Sequence, residues 1–299
     1  AVQGRVTLTT AVAVTTSDVT GAASVYFTPA GGNQVAIYDG ANTISTTFTE
    51  LTLALDSNAG HTNYQQSGKN YDLFVINDSG TIRLGTGPKW NDGAVAGSDT
   101  ARGTGAASTE LELKNGFWTN KNTITIRFGS ASGNTVSISA NQATYVGTLR
   151  TTADGQTEDS LAKRFVYNAY NQAKRQFLRN DATASWNYST ASYQQANAST
   201  ANQLAYVAGL AGSPLEVFLL TICSSSAGVQ IIYPGIGLDS TTVTSASTQE
   251  FQRCDSSTVT GFAKAYYSGF TQLGFHFVAW LARGAGADTQ TWTGTAASG

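Results

Sequence analysis

Charged side chains are scarce in this sequence. Asp, Glu, Lys and Arg make up 12% of the 299 residues, about half of the ~25% found in an average soluble domain. The 17 basic and 19 acidic residues give a formal net charge of −2, and the basic residues form no run. Because phosphate binding requires clustered Lys and Arg, this composition argues against nucleic acid as a partner.

Long apolar runs are also missing. No run reaches the roughly 18 residues that a membrane-spanning helix needs, so membrane insertion is not expected. The first residues, AVQGRVTLTT, do not have the charged-then-apolar layout of a signal peptide. Methionine is absent, and a start at Ala1 fits either removal of an initiator Met or a fragment of a longer chain.

The sequence has only two histidines. His276 shares its parity with Val278 and Trp280, which predicts a neutral, hydrogen-bonded histidine in the core. His61 lies in the polar stretch NAGHTNYQQSG with no evident partner, which predicts an ordinary surface residue. Neither histidine belongs to a pattern of metal ligands, so we expect no metal ion and no cofactor.

The two cysteines, Cys223 and Cys254, form neither a CxxC motif nor a metal-site pattern. Two alternatives therefore stay open. They are either free thiols packed as small apolar side chains, or a disulfide that joins neighbouring strands.

Catalytic motifs are missing as well. GxSxG, HExxH and the phosphate loop GxxxxGK[ST] do not occur. Glycoside hydrolysis requires two carboxylates about 5 to 9.5 Å apart, and the acidic groups at Asp154, Glu158 and Asp159 and at Glu110 and Glu112 show no opposing partner. The sequence therefore predicts a protein that is not an enzyme. A polysaccharide-cleaving protein, either a hydrolase or a lyase, that uses Asp154, Glu158 or Glu112 is the alternative.

Thr, Ser, Asn, Gln and Gly take the place of charge. Thr favours strands, whereas Gly, Ser and Asn favour turns. Short apolar runs with alternating spacing flank turn residues, and hairpins are predicted around Asp39-Gly40, around Asn77–Gly80 and around Gly129–Asn134. The segment EVFLLTICSSSAGVQIIYPGIGL predicts a buried hairpin, and LGFHFVAWLARG predicts a late core strand. Residues 85–109 predict a long surface loop with Trp90 as its anchor.

The predicted fold is mostly β, with two antiparallel β-sandwich regions of jelly-roll-like type and a short connecting segment. Residues 1–155 form the N-terminal region, residues 156–180 the connecting segment and residues 181–299 the C-terminal region. Within the connecting segment, Leu161, Phe165 and Tyr170 approximate helical spacing, so a helix is one interpretation.

Neutral aromatic residues are the remaining candidates for a binding function. Tyr and Trp can stack on sugar rings while Asn, Gln and Thr bind the hydroxyls, and the same residues enrich subunit interfaces. For any one residue, a place in the core or an interface is favoured over glycan binding, and in SWNYS the alternation puts Trp186 and Tyr188 on one face. Tyr193 to Asn197 is predicted as an exposed turn. The candidates are Trp90, Trp118, Trp186, Tyr188, Tyr193 and Trp292.

Several segments occur in a recognisable order: GRVTLTT, DVTGAASVYFTP, VAIYDG, YDLFV, YVGTLRTTADGQTEDSLAKRFVYNAYN, SWNYSTASYQQANASTANQ, GIGLDSTT and GFHFVAWL. In this order the chain, from Gly4 to about Leu281, resembles a family of virion proteins of tailed bacteriophages and prophages. Relative to that family, DSNAGHTNYQQSG looks like an insertion, which makes His61 and Tyr64 candidates for a variable binding tip. The family pattern also has Pro residues after YN, which are absent here.

The resemblance implies a non-enzymatic structural protein of the virion, as a fibre, spike or capsid-decoration subunit. It also implies a homotrimer, assembly in the bacterial cytoplasm, and contacts with other virion proteins or with host surface polysaccharide. A lectin-like secreted module is a further alternative, which suits the composition but not the order of the segments.

Overall fold

The computed structural model describes residues 1–226, 230–251, 253–254, 261–286 and 288–295. Within these residues the chain is mostly β, as predicted, with one 3-10 turn at Ala196–Ala198. The first strands are β1 (Gly4–Thr7), β2 (Val19–Ala22), β3 (Ser24–Pro29), β4 (Gln34–Tyr38), β5 (Thr43–Thr47), β6 (Leu51–Ala54), β7 (Asn70–Asp78), β8 (Thr81–Lys89), β9 (Leu111–Lys114), β10 (Phe117–Asn120), β11 (Ile124–Arg127), β12 (Thr135–Ile138) and β13 (Ala143–Ala153). The later strands are β14 (Gln156–Asp159), β15 (Lys163–Arg164), β16 (Val166–Asn168), β17 (Ser185–Tyr188), β18 (Gln194–Gln195), β19 (Gln203–Ala208), β20 (Pro214–Ser225), β21 (Gln230–Ile231), β22 (Tyr233–Leu238), β23 (Gln249–Phe251), β24 (Arg253–Cys254), β25 (Gly261–Phe270), β26 (Gly274–Arg283) and β27 (Gln290–Thr293).

The chain forms two compact units, and each is discontinuous in sequence. Unit 1 contains Ala1–Gln176 together with two short later segments, Tyr206–Ala211 and Gln272–Phe275. Unit 2 is made of the remaining segments, which are Phe177–Ala205, Gly212–Thr271 and His276–Gly299.

Unit 1 is built around the antiparallel strands β7, β8 and β13. One face of this sheet packs against the three-stranded sheet β1-β3-β6, where Phe27 and Leu53 meet Leu73 and Val75 in one buried cluster. The opposite face is also covered, because Phe74 and its neighbours pack with β11, β12 and the start of β13 in a second cluster. The central strands are therefore buried on both faces.

The predicted hairpins form where the turn chemistry places them. β4 and β5 pair around Asp39-Gly40, and the Asp39 carboxylate accepts the backbone N–H groups of the turn. β7 and β8 pair across Ser79-Gly80, where both residues have positive φ, as a type I′ turn requires. β11 and β12 pair as the third predicted hairpin.

Residues 156–176, which the sequence assigns to the connecting segment, belong to unit 1. The helical interpretation of this stretch is wrong. β14 continues from β13 through a tight turn at Gly155, and β16 pairs with β13 from Gly147 to Leu149. The edge of β13 offers backbone hydrogen-bonding groups with which these residues pair as strands. This pairing outweighs the weak preference that an approximate helical spacing gives.

Unit 2 contains the antiparallel sheet β17-β27-β20-β25-β23 and, facing it, strands β18 and β22 paired to β26. The core between them holds Trp186, Trp292 and Cys223 from the first sheet and Ala282 from β26. The predicted late core strand is β26, where Ala279, Leu281 and Ala282 are buried.

Two local predictions for unit 2 are wrong. Residues 216–238 do not form a hairpin, because β20 pairs with β25 and β27 while β22 pairs with β26. The predicted exposed turn at 193–197 is instead held at a sheet edge, where Gln195 pairs opposite Leu281 and is buried. The disulfide alternative depends on the Cys254 side chain, which is not among the side chains that the structure describes, so it stays a prediction.

Candidate functional site

Trp90 lies at the end of β8 and is almost fully buried in unit 1. The Arg102 guanidinium carbon lies 4.4 Å from the centre of the Trp90 ring. Arg102 in turn donates hydrogen bonds to both oxygens of the buried Asp72 carboxylate, at 2.6 and 2.8 Å. Tyr145 and Thr148 complete this network, because Thr148 Oγ1 bonds both Asp72 and Tyr145 Oη. Trp90 therefore packs on the buried Arg102–Asp72 ion pair and holds the loop that follows β8 in place.

Most other aromatic candidates also lie in packed cores. Trp186 and Trp292 are cross-strand partners on β17 and β27, and both are buried in unit 2. Their indole N–H groups have no hydrogen-bond partner in the described part of the chain, so packing is their contribution. Tyr188 packs against the same cluster, and Trp118 is half-buried against a core cluster of unit 1.

Tyr193 and Tyr64 are half-buried rather than free at loop tips. The Arg283 guanidinium carbon lies 5.8 Å from the Tyr193 ring centre. The Tyr64 carbonyl accepts a hydrogen bond from Tyr71 Oη at 3.0 Å. Gln65, next to Tyr64, is fully buried and donates to Thr86 Oγ1, so the loop that resembles an insertion is anchored to the sheet.

His61 is not a residue without a partner, and that expectation is wrong. Its Nδ1 lies 2.8 Å from the Asp56 carboxylate, and Asp56 also accepts an ion pair from the buried Arg127 at 3.0 Å. Its Nε2 lies 3.2 Å from Asn58 Nδ2. Arg127 also donates to the backbone carbonyls of Thr62, Gly129 and Ala131. Both ring nitrogens are thus used in fixing the loop.

His276 confirms its prediction as a buried, hydrogen-bonded histidine. It is 6% exposed, and its Nδ1 lies 2.6 Å from the Asp239 carboxylate. Asp239 Oδ1 also accepts the backbone N–H of Phe277 at 2.9 Å. The pair fastens the end of β22 to β26.

Three of the acidic candidates are held by cations or backbone groups. Asp159 is buried between Arg164 and Arg175, at 3.0 and 2.9 Å. Glu158 pairs with Lys163 at 3.1 Å, and Asp154 accepts a backbone N–H. Glu158 and Asp159 thus form structural ion pairs, and Asp154 binds the backbone of a neighbouring loop.

Five exposed apolar side chains lie together on unit 2, on the outer side of β20 and β25. We name it the β20–β25 face. Its members and their exposed fractions are Phe218 (63%), Leu220 (51%), Phe262 (61%), Tyr266 (39%) and Phe270 (67%).

Strand pairing puts these side chains side by side. Phe218 lies directly opposite Tyr266 in the antiparallel register, and the alternation of β20 and β25 turns the remaining members to the same side. Between them, the inward positions of β25 carry small side chains such as Ala263 and Ala265, which are fully buried. Phe262, Tyr266 and Phe270 thus point outward on β25, while Tyr267 is the large side chain among the inward positions.

The β20–β25 face carries one acidic and one basic residue. Glu216 lies opposite Ser268, two positions before the central Phe218–Tyr266 pair, and Lys264 lies opposite Leu220, two positions after it. Both side chains are exposed. The two charges therefore stand diagonally across the centre of an apolar face.

A small cavity of about 120 Å³ also lies within unit 2. It is lined mainly by apolar groups, among them Phe177, Val217, Ile236 and Trp280, with Asn202 and Gln203 as polar members. Asn202 uses its amide in a hydrogen bond to the Asp181 carboxylate, so this amide is engaged in holding the loop rather than directed at a ligand.

Among the described residues, no group of three or more His, Cys, Asp or Glu side chains could hold a metal ion. No helix in the part of the chain that the structure describes is long and apolar enough to cross a membrane.

Comparison with known proteins gives no relative. No protein-family model, no curated protein and no solved structure matches this chain.

The sequence interpretation missed the β20–β25 face. The signal was present, because PLEVFLLTIC is apolar at both parities, whereas a strand with one solvated face alternates. GFAKAYYSGF carries Phe262, Tyr266 and Phe270 at even positions, opposite the small residues of the core.

Proposed function

We propose that this chain is a non-enzymatic, self-associating structural protein of a bacteriophage particle, as a fibre, spike or capsid-decoration subunit. The observation that carries the proposal is the exposed β20–β25 face. Monomeric soluble proteins rarely expose contiguous apolar patches above a few hundred Å², and larger patches mark interaction sites. The order of the segments from GRVTLTT to GFHFVAWL, which resembles virion proteins, supplies the context.

The ionisable groups support a structural role. Asp72 and Asp159 are ion-paired in the core, and each histidine is bonded to a carboxylate. A catalytic acid or base needs a lone pair or proton available to a substrate. Here these groups bind strands and loops together, as a rigid particle component requires.

The low charge suits a protein outside the cell. Ion pairs on a surface weaken as salt rises, because the salt screens them. A surface rich in Thr, Ser and Asn has few charges for salt to screen. Further copies of the chain and other particle proteins are its partners, and host surface polysaccharide joins them if the subunit serves attachment.

The test measures association and particle binding together. Sedimentation velocity of the purified chain at micromolar concentration should show an oligomer. The resemblance to virion proteins implies that this oligomer is a trimer. Fluorescently labelled protein should bind particles stripped of this protein, or host cells in a manner lost when surface polysaccharide is removed. A chain that stays monomeric and binds neither would refute the proposal. Release of new reducing ends from host polysaccharide would refute its non-enzymatic part.

A further inference from the structure

We propose that the β20–β25 face binds the same face of a second copy of this chain, about a two-fold axis. The inference rests on the proposed self-association and adds the surface, the partner and the symmetry. Self-complementary surfaces of this kind are the commonest way in which identical chains pair.

The size of the face suits a second copy. Aromatic side chains bury about 150–250 Å² each, so the exposed parts of Phe218, Phe262, Phe270, Tyr266 and Leu220 amount to on the order of 500 Å² per copy. Two copies packed face to face bury about twice that area from these residues alone. This reaches the roughly 1,000 Å² that a specific interface requires.

The charges favour a two-fold arrangement. Glu216 and Lys264 lie on opposite sides of the central Phe218–Tyr266 pair, at equal spacing along the strands. A two-fold axis through this centre, perpendicular to the line that joins the two charges, places Glu216 of each copy opposite Lys264 of the other. Two equivalent ion pairs then flank one apolar centre, as in interfaces with an apolar core and a polar rim.

The chemistry of the face favours protein over sugar. A glycan site needs donors and acceptors for the hydroxyls beside the aromatic ring. On this side of β20 and β25, the polar side chains are Glu216, Lys264 and Ser268, whereas the face has five exposed apolar members, so apolar groups outnumber the groups that could bind hydroxyls. Sheets that pack face to face bury such side chains between them.

The first experiment removes the apolar centre from the full chain. Phe218→Asp should weaken self-association at least about 100-fold in sedimentation velocity. The matched control is Val243→Asp, because Val243 is equally exposed at 63% and lies on unit 2 outside the face. The control should associate like the unchanged chain. Circular dichroism of both variants verifies the fold, and the outward position of Phe218 predicts that it is kept.

The second experiment tests the symmetry by charge reversal. Glu216→Lys alone brings like charges together at both positions of the pair and should weaken association about tenfold at low salt. Lys264→Glu should do the same. An equimolar mixture of these two variants restores both ion pairs only if the faces meet about the two-fold axis, so the mixture should associate like the unchanged chain.

The outcomes separate the inference from the proposed function. If Phe218→Asp associates normally, or if the charge variants fail to complement each other, the inference is wrong, while an oligomer that binds particles still supports the proposed function. If the unchanged chain pairs through this face but binds neither particles nor cells, the inference stands and the proposed function fails. If the chain is also a trimer, two-fold contacts between two trimers give a hexamer, which Phe218→Asp should reduce to a trimer.

Discussion

Replacing Arg102 by Leu should destabilise unit 1 by about 3–5 kcal/mol, because removal of one partner leaves a buried charge uncompensated. The Asp72 carboxylate is fully buried and accepts two hydrogen bonds from the Arg102 guanidinium. After the change, Thr148 is the donor that remains to it among the described residues. Arg102 also donates to the Gly209 carbonyl at 2.8 Å and lies over Trp90, so its loss releases a loop as well.

Differential scanning calorimetry of the whole chain would measure the loss. For a domain of this size, 1 kcal/mol shifts the melting temperature by about 2–4 °C, so the expected fall is about 6–20 °C. The matched control is Arg83→Leu, because Arg83 pairs with Asp78 at 2.8 Å but both side chains are partly exposed. An exposed pair contributes at most about 1 kcal/mol, so the control should fall by only a few degrees.

Two results would refute this reasoning. One is an Arg102→Leu variant that melts no lower than Arg83→Leu. The other is a double change, Arg102→Leu with Asp72→Leu, that is less stable than Arg102→Leu alone. Replacing both partners of a buried pair by apolar groups removes the uncompensated charge, so the double variant should recover part of the loss.

Two further predictions concern pH. Burial raises the pKa of the Asp181 carboxyl, but hydrogen bonds from Asn202 and Thr183 outweigh burial and lower the pKa from 3.8 to about 2. Because the pKa is lower in the folded than in the unfolded chain, unit 2 should lose about 2 kcal/mol of stability as the pH falls from 4 to below 2. In urea melts over a series of pH values, Asp181→Asn should flatten this part of the pH dependence. Burial raises the pKa of the Tyr71 and Tyr145 phenols. In a spectrophotometric titration, at least two of the 13 tyrosines should therefore stay protonated at pH 12 while the chain is folded. Ionisation of all tyrosines in the folded chain would contradict this prediction.

The hairpins were predictable because their information is local. At Asp39-Gly40 and at Ser79-Gly80 the residues that tolerate positive φ stand between alternating runs, so the turn and the strand register are written in the same few positions. The buried state of His276 followed in the same way from the parity of β26.

Pairing between distant strands was not predictable in this way. β20 pairs with β25 across a long stretch of chain, and a strand that is apolar at both parities gives no indication of which face meets the core. The wrong prediction for His61 has the same cause. Its partner Asp56 is fixed by an ion pair with Arg127, which lies on a strand much later in the chain. Spacing along the sequence does not contain such contacts.

Unit 1 cannot be completed until most of the chain has been synthesised. Its first 176 residues emerge early, but Tyr206–Ala211 and Gln272–Phe275 follow only after much of unit 2. Phe275 donates its backbone N–H to Asp99, and Gly209 accepts from Arg102. At about 5–20 residues per second, the ribosome needs roughly 5 to 20 s to supply these last segments. During that interval the nascent chain carries an unclosed core, and a stop codon anywhere before residue 272 would release a chain whose N-terminal unit lacks its final segment.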